Sequence, residues 1–234
     1  MQKLDRSLIR GFDLFAAMND EDLDAVLAPV EVRRLAKGDV VFAQGDPADS
    51  FFLLLHGRLK VVQVTPDGQQ VIVRFVGPGE VYGVAVALGR ADYPGTVRAA
   101  AESLTLSWRS EHWPALVSRQ PRLALNTLQH VGARLQEAHT RIREMATEEA
   151  ERRVAHTVLR LAEQAGRPTR DGILVDFPVS RQDIAEMTGT TLHTVSRILS
   201  AWEDRGLVEG GRQRIFVRAP DRLKVLAERS EAAG

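Results

Sequence analysis

The hydrophobic pattern of the chain changes period three times. Residues 5–26, with Leu27 following, carry Leu14, Phe15, Met18, Leu23 and Val26 at near-helical spacing. This predicts one or two short helices, with Asn19 and Asp20 as caps. From Val30 to Trp108 the period is two. The runs 30–35, 39–44, 51–64, 69–76 and 97–108 are β-branched or apolar. Turn formers separate them: Lys37-Gly38, Gly45-Asp46-Pro47, Pro66-Asp67-Gly68 and Gly77-Pro78-Gly79. In Pro66-Asp67-Gly68 the proline presets the turn and the glycine accepts a positive φ, so a hairpin is expected there. Many short strands at this spacing predict a small antiparallel sandwich or jelly roll.

After Ser110 the alternation stops. Pro121 suits the first turn of a helix. Ala124, Leu128, Val131, Leu135, Ala138, Ile142 and Met145 then advance in steps of 4 and 3, a heptad seam held for about three heptads. A helix lying on its own sheet would show such a stripe, and so would a helix paired with a second copy. Arg134, Glu137, Arg141 and Glu144 flank the seam and are expected to pair across it. From about Glu148 the chain is helical again. Gly166, Pro168 and Asp171-Gly172 predict a loop, residues 173–179 a strand, and residues 207–217 a closing hairpin.

One stretch of this last segment carries chemistry. Ser180 with Asp183 three residues on predicts a capping box. A short helix from Arg181 to about Met187 follows, then a turn at Gly189, then a helix from near Thr191 to about Arg205. In the second helix Val195, Ile198, Leu199 and Trp202 form a buried stripe. His193, Ser196, Arg197 and Ser200 face the other way. Ala185 is small enough to let the two helices approach. Ala185, Gly189, Val195 and Ile198, separated by 4, 6 and 3 positions, fit a helix-turn-helix whose second helix enters a DNA major groove. The hairpin after it would act as a wing, with Arg212 and Arg214 near phosphates. An ordinary helical hairpin would not require an exposed side that is short, polar and armed with an arginine.

Composition narrows the remaining chemistry. The chain has 234 residues, with 31 basic and 31 acidic side chains, so no global charge points to nucleic acid and the local motif alone carries that inference. Cysteine is absent, which excludes disulfides, thiolate metal sites and a cysteine-held iron–sulfur cluster. No apolar run is long enough for a membrane helix, and the N-terminus lacks a cleavage signal, which points to the cytoplasm. A jelly-roll metal enzyme would need closely spaced histidines, whereas the sandwich holds His56 alone. A hydrolase would need Gly-x-Ser-x-Gly or a phosphate loop, and neither occurs.

The order of parts resembles the cyclic-AMP receptor/fumarate–nitrate regulator (Crp/Fnr) superfamily of bacterial transcription factors. The similarity lies in LAKGDVVFAQGDPADSFFLLLHGRLKVVQ, GPGEVYG and HTVSRILSAWEDRGLV. Within the superfamily, TVSRILSAWE followed by GRQRI is most similar to regulators of nitric-oxide and denitrification genes. The resemblance implies an α+β fold: a cyclic-nucleotide-binding-like β jelly roll over residues 1–119, a dimerisation helix over 120–147 and a winged helix-turn-helix over 148–234. It implies a homodimer joined along Leu128, Val131, Leu135, Ala138, Ile142 and Met145. The partners it implies are an inverted-repeat promoter and RNA polymerase; neither a membrane nor an enzymatic activity is implied.

By the same resemblance Arg197 reads a guanine and Ser196 a neighbouring thymine, so a half-site containing TTG is expected. Thr191, His193, Ser200, Arg212 and Arg214 complete the expected DNA-contacting set. His193 stands where relatives usually place a glutamate, which leaves the base at that step open.

The sensor departs from its relatives. Gly79, Glu80, Tyr82, Gly83 and Tyr93 are expected around an effector pocket. Cyclic-AMP binders carry an acid where this chain has Val84, and Arg-Ser where it has Tyr93-Pro94. A buried phosphate without its cation is heavily penalised, so cyclic AMP is not expected. Arg90 and Arg98 lie nearby in sequence. Haem-borne sensing of nitric oxide, another small effector, or control by abundance remain. Haem would need an axial donor from among His56, His112, His130, His139, His156 and His193. Of these His139 lies beside the heptad seam, on the side expected to face the sandwich.

Overall fold

Strand β3 (Ser50–His56) explains why a run as apolar as Phe51-Phe52-Leu53-Leu54 sits in an antiparallel sheet. Successive side chains point to opposite faces, and here both faces are covered. Phe51 and Leu53 join one core with Ile9, Leu14, Leu23, Leu106, Trp108 and Leu123. Phe52 and Leu54 join another with Phe42, Leu59, Val76, Tyr82, Tyr93 and Val97.

A computed structural model describes residues 5–15, 18–211 and 213–228. The chain divides into two compact units, residues 1–68 with 73–137, and residues 69–72 with 138–234.

In the first unit, helices α1 (Ser7–Arg10) and α2 (Asp20–Leu27) precede the strands, and Asn19 caps α2 by accepting from the Asp22 amide at 2.9 Å. Strands β1 (Glu31–Leu35), β2 (Val40–Phe42), β3, β4 (Leu59–Val64), β5 (Gln70–Val76), β6 (Val81–Tyr82), β7 (Thr96–Ala99) and β8 (Ser103–Arg109) follow. They form two four-stranded sheets, ordered β1-β8-β3-β6 and β2-β7-β4-β5. The run 97–108, read from sequence as one segment, turns between β7 and β8 and serves both sheets. Trp108 is buried against Phe51 with ring centroids 5.3 Å apart, and its Nε1 donates to the Val26 carbonyl at 2.7 Å, so α2 is clamped to β8. Helix α3 (Trp113–Arg119) leads into the long helix α4 (Pro121–Thr147).

The second unit holds α5 (Ala150–Ala165), β9 (Gly166–Thr169), β10 (Gly172–Val175), α6 (Arg181–Thr188), α7 (Leu192–Asp204), β11 (Val208–Gly211), β12 (Arg214–Val217) and α8 (Pro220–Glu228). Its sheet runs β11-β12-β10-β9. The segment expected to be a loop at Gly166–Pro168 is instead the edge strand β9. Pro168 pairs opposite Ile173 at the outer edge, where a missing amide costs no ladder bond.

Three of the side chains expected to pair across the heptad seam, Arg134, Glu137 and Glu144, are committed within the chain. Glu144 is only 4% exposed and accepts from Arg160 of α5 at 2.6 Å. Arg134 binds Glu137 at 3.0 Å and also Glu80. The apolar seam stays open at Leu128, Leu135 and Ile142, which are 66%, 53% and 66% exposed, whereas Val131, expected in the same seam, is half-buried and lines the cavity beside α4. Among the described residues no helix is long and apolar enough to cross a membrane.

Candidate nucleic-acid interface and ligand cavity

The two helices of the reading motif are set by local chemistry. Ser180 accepts from the Asp183 amide at 3.0 Å, and the Asp183 carboxylate accepts from the Ser180 amide at 2.8 Å, closing a capping box on α6. Helix α6 ends at Gly189, whose φ of +60° lies in the left-handed region that a side chain disfavours. Thr191 then caps α7 by accepting from the Thr194 amide at 3.1 Å.

Val195, Ile198, Leu199 and Trp202 are buried, and Trp202 donates through Nε1 to Glu151 of α5 at 2.8 Å. Trp202→Phe removes that bond and part of the ring, and is expected to lower the stability of this unit by about 1–3 kcal/mol in chemical denaturation.

The opposite side of α7 exposes His193, Arg197 and Ser200, with Ser196 half-buried. Thr191 is exposed too, but its hydroxyl oxygen is engaged as the cap. Arg214 is exposed at the start of β12, across from Gly211 in the wing, while Arg212 lies outside the described residues. The motif places its arginine outward and its tryptophan inward on one amphipathic helix.

One stabilising contact has no signature in the sequence pattern. Arg181, at the start of α6, reaches Glu203 at 3.0 Å and the Ser196 carbonyl at 3.5 Å, holding the two helices at a set separation. Its partners lie 22 and 15 residues away, beyond the reach of any helical periodicity.

The first unit encloses a cavity of about 190 Å³ between the β-rich part and α4. Leu14, Val81, Gly83, Val84, Leu88 and Val131 give its apolar wall; Arg74, Glu80, His130 and Arg134 give its polar end. Gly83, at φ +71°, leaves room that a side chain would lose, since a β-carbon would come within 2.9 Å of the Phe52 ring. Glu80 accepts from Arg74 at 2.6 Å, from Arg134, and from the Gly77 amide at 3.2 Å. Burial pulls the Arg74 guanidinium below its usual range, and Glu80 opposes that shift.

Of the pocket residues expected from sequence, Glu80, Tyr82 and Gly83 line this cavity. The Tyr82 hydroxyl is bonded to Thr105 at 2.9 Å, and burial raises the phenol's pKa. Gly79 lies beside Phe12 instead. Tyr93 sits elsewhere, stacked on Phe42 at 3.7 Å with its hydroxyl donating to the Ser50 carbonyl at 2.6 Å. Buried aromatic area and a satisfied hydroxyl place it in the core.

Arg90 pairs with Asp92, and Arg98 donates to the Gly38 carbonyl, whereas the cavity takes its guanidiniums from β5 and α4. His139 is exposed, and His130 is the histidine on the cavity wall. At about 190 Å³ the cavity is smaller than the ~300–1,000 Å³ of ordinary ligand pockets.

Known proteins share this plan from end to end. A cyclic nucleotide-binding domain model matches residues 32–120, and a Crp-like helix-turn-helix domain model matches residues 152–226. The cyclic AMP receptor protein of Thermus thermophilus is 28% identical over 219 residues, covering 94% of this chain and 98% of that protein. The global nitrogen regulator of Synechococcus elongatus is 29% identical over 194 residues, covering 82% and 87%. Among solved structures, FixK2 from Bradyrhizobium japonicum superposes with a TM-score of 0.76 at 21% identity, covering 86% of this chain and 98% of that one. With a nucleotide-binding-type β domain, a long helix and an outward-facing recognition helix in that order, the chain belongs to the Crp/Fnr family of DNA-binding transcription regulators and is not an enzyme.

Proposed function

We propose that the chain binds an inverted-repeat promoter site as a homodimer joined along α4. We propose further that a small effector other than cyclic AMP, held in the cavity, sets its affinity for that site. The observation that carries the dimer is the open seam. Leu128, Leu135, Ile142 and Met145 repeat along one face of a helix and are all exposed, and a stripe of that length is stable in water only when covered. A two-fold axis along such helices sets two recognition helices about 34 Å apart, one turn of DNA. Each Arg197 donates to a guanine, and Ser196, His193 and Ser200 contact the neighbouring bases; Arg214 approaches a phosphate. Bound in the cytoplasm, the dimer recruits or obstructs RNA polymerase.

Two features argue for an effector other than cyclic AMP. Val84 lines the cavity where relatives hold the ribose with an acid, and both guanidiniums there already have carboxylate partners. Millimolar cyclic AMP is expected to leave the melting temperature and operator affinity unchanged; a rise of several degrees would overturn this part. Nitric oxide is the effector that the resemblance of residues 194–203 and 211–215 implies. Hemin titration checks its haem-borne form: no Soret band is expected, and a band that His130→Ala removes would restore it. An effector coupling of about 1–3 kcal/mol suffices to shift the dimer between half-site spacings.

Selection of bound sequences from a random DNA pool tests the whole reading. Two TTG-containing half-sites in inverted order, one helical turn apart, are expected, and a motif without two-fold symmetry would refute it.

A further inference from the structure

The cavity beside α4 has two ends of different chemistry, and its charged end is already closed. Arg74 and Arg134 both donate to one carboxylate oxygen of Glu80, and the other oxygen accepts from the Gly77 amide at 3.2 Å. Arg134 also pairs with Glu137 at 3.0 Å. Each guanidinium of the lining therefore holds a carboxylate. A further ion entering among the hydrocarbon side chains would find no partner to neutralise it, and an unpaired buried charge is heavily penalised.

Leu14, Val81, Val84, Leu88 and Val131 form the rest of the wall. Leu88 is 58% exposed although it lines the cavity, so it stands at the mouth. Two polar side chains of the lining are engaged elsewhere: Thr127 donates to the Leu123 carbonyl at 2.7 Å, and the Tyr82 hydroxyl is bonded to Thr105. His130 differs. It is half-buried on the wall and holds no hydrogen bond among the described residues. A hydroxyl suits it in either tautomer, because a hydroxyl both donates and accepts. Size narrows the occupant further. An apolar cavity of about 150 Å³ takes up benzene, and the 190 Å³ here leaves room for a ring with one short polar substituent.

We propose that the cavity takes an uncharged, single-ring molecule whose hydrocarbon body packs on Val81, Val84 and Val131 and whose one hydroxyl meets the His130 imidazole. The inference rests on reading the cavity as the effector site and names the class of ligand that site accepts.

Four probes share one ring and differ in charge and polarity: benzyl alcohol, toluene, benzoate and benzylammonium. Each is titrated into the full-length protein at neutral pH and followed by calorimetry. Benzyl alcohol is expected to bind about fivefold more tightly than toluene, the worth of one net hydrogen bond. Both ions are expected to bind at least about tenfold more weakly than benzyl alcohol. His130→Ala is expected to bind benzyl alcohol and toluene alike with toluene's affinity kept, which a loss of structure would not produce. Val84→Phe fills the cavity and is expected to abolish binding of the ring while keeping the circular dichroism of the wild type. Benzoate or benzylammonium binding as tightly as benzyl alcohol would overturn the proposal, and so would full binding by Val84→Phe or no binding of benzyl alcohol by the wild type. Operator affinity with and without saturating benzyl alcohol separates the two claims. Binding in the cavity that leaves operator affinity unchanged upholds the ligand class and overturns the effector reading.

Discussion

Leu135→Asp combined with Ile142→Asp is expected to turn the dimer into a monomer and abolish binding to an inverted-repeat probe. Both side chains are exposed on α4 within the chain, so the substitutions leave its core intact. In the paired state each would bury a leucine- or isoleucine-sized side chain, worth about 1.5–3 kcal/mol. Four such side chains meet across a two-fold seam, so about 6–12 kcal/mol of association is at stake, before charge repulsion between the new aspartates is added. Sedimentation velocity reads the outcome directly. A double variant that still sediments as a dimer would show that the seam is not the interface.

Arg197→Ala is expected to remove sequence discrimination while leaving weak, salt-sensitive binding to any duplex. A bidentate arginine–guanine pair is worth about 1–3 kcal/mol of discrimination. A two-fold site contains two such pairs, so about 2–6 kcal/mol is lost, between about 30-fold and 10⁴-fold in specific affinity. The ratio of specific to non-specific binding, measured by competition at fixed salt, is the quantity that reports it. Stability should hardly change, because Arg197 is exposed on α7. If the variant keeps the full ratio, Arg197 reads no base and the recognition face has been misassigned.

These two expectations differ in where their support comes from. The outward arginine follows from local pattern, because a helix with Val195, Ile198, Leu199 and Trp202 inside must carry Arg197 outside. The apolar stripe of α4 also follows from periodicity, but periodicity alone leaves its partner open. Only the exposure of Leu128, Leu135 and Ile142 separates a helix resting on its own sheet from one awaiting a second copy.

The cavity beside α4 shows the same division more sharply. Gly83 and Glu80 were legible as pocket residues because they belong to one short segment. The cations were not: Arg134 meets Glu80 across 54 residues, and no spacing rule reaches that far. Tyr93 was misplaced for the opposite reason, since proximity in sequence to a loop says nothing about the Phe42 ring on which it stacks.

Where an element depends on its own residues, the order of amino acids was enough. The capping box at Ser180 and Asp183, the buried stripe of α7, the alternation of the strands and the heptad of α4 are all short-range consequences of side-chain period and backbone chemistry. Where a side chain's fate depends on what packs against it from elsewhere, only the folded chain decides. Glu144 is buried on Arg160 and Glu80 lies between two arginines, while Pro168 sits on an edge strand and Leu192 is open to solvent. Burial and ion pairing are set by three-dimensional neighbours, and those neighbours come from distant parts of the chain.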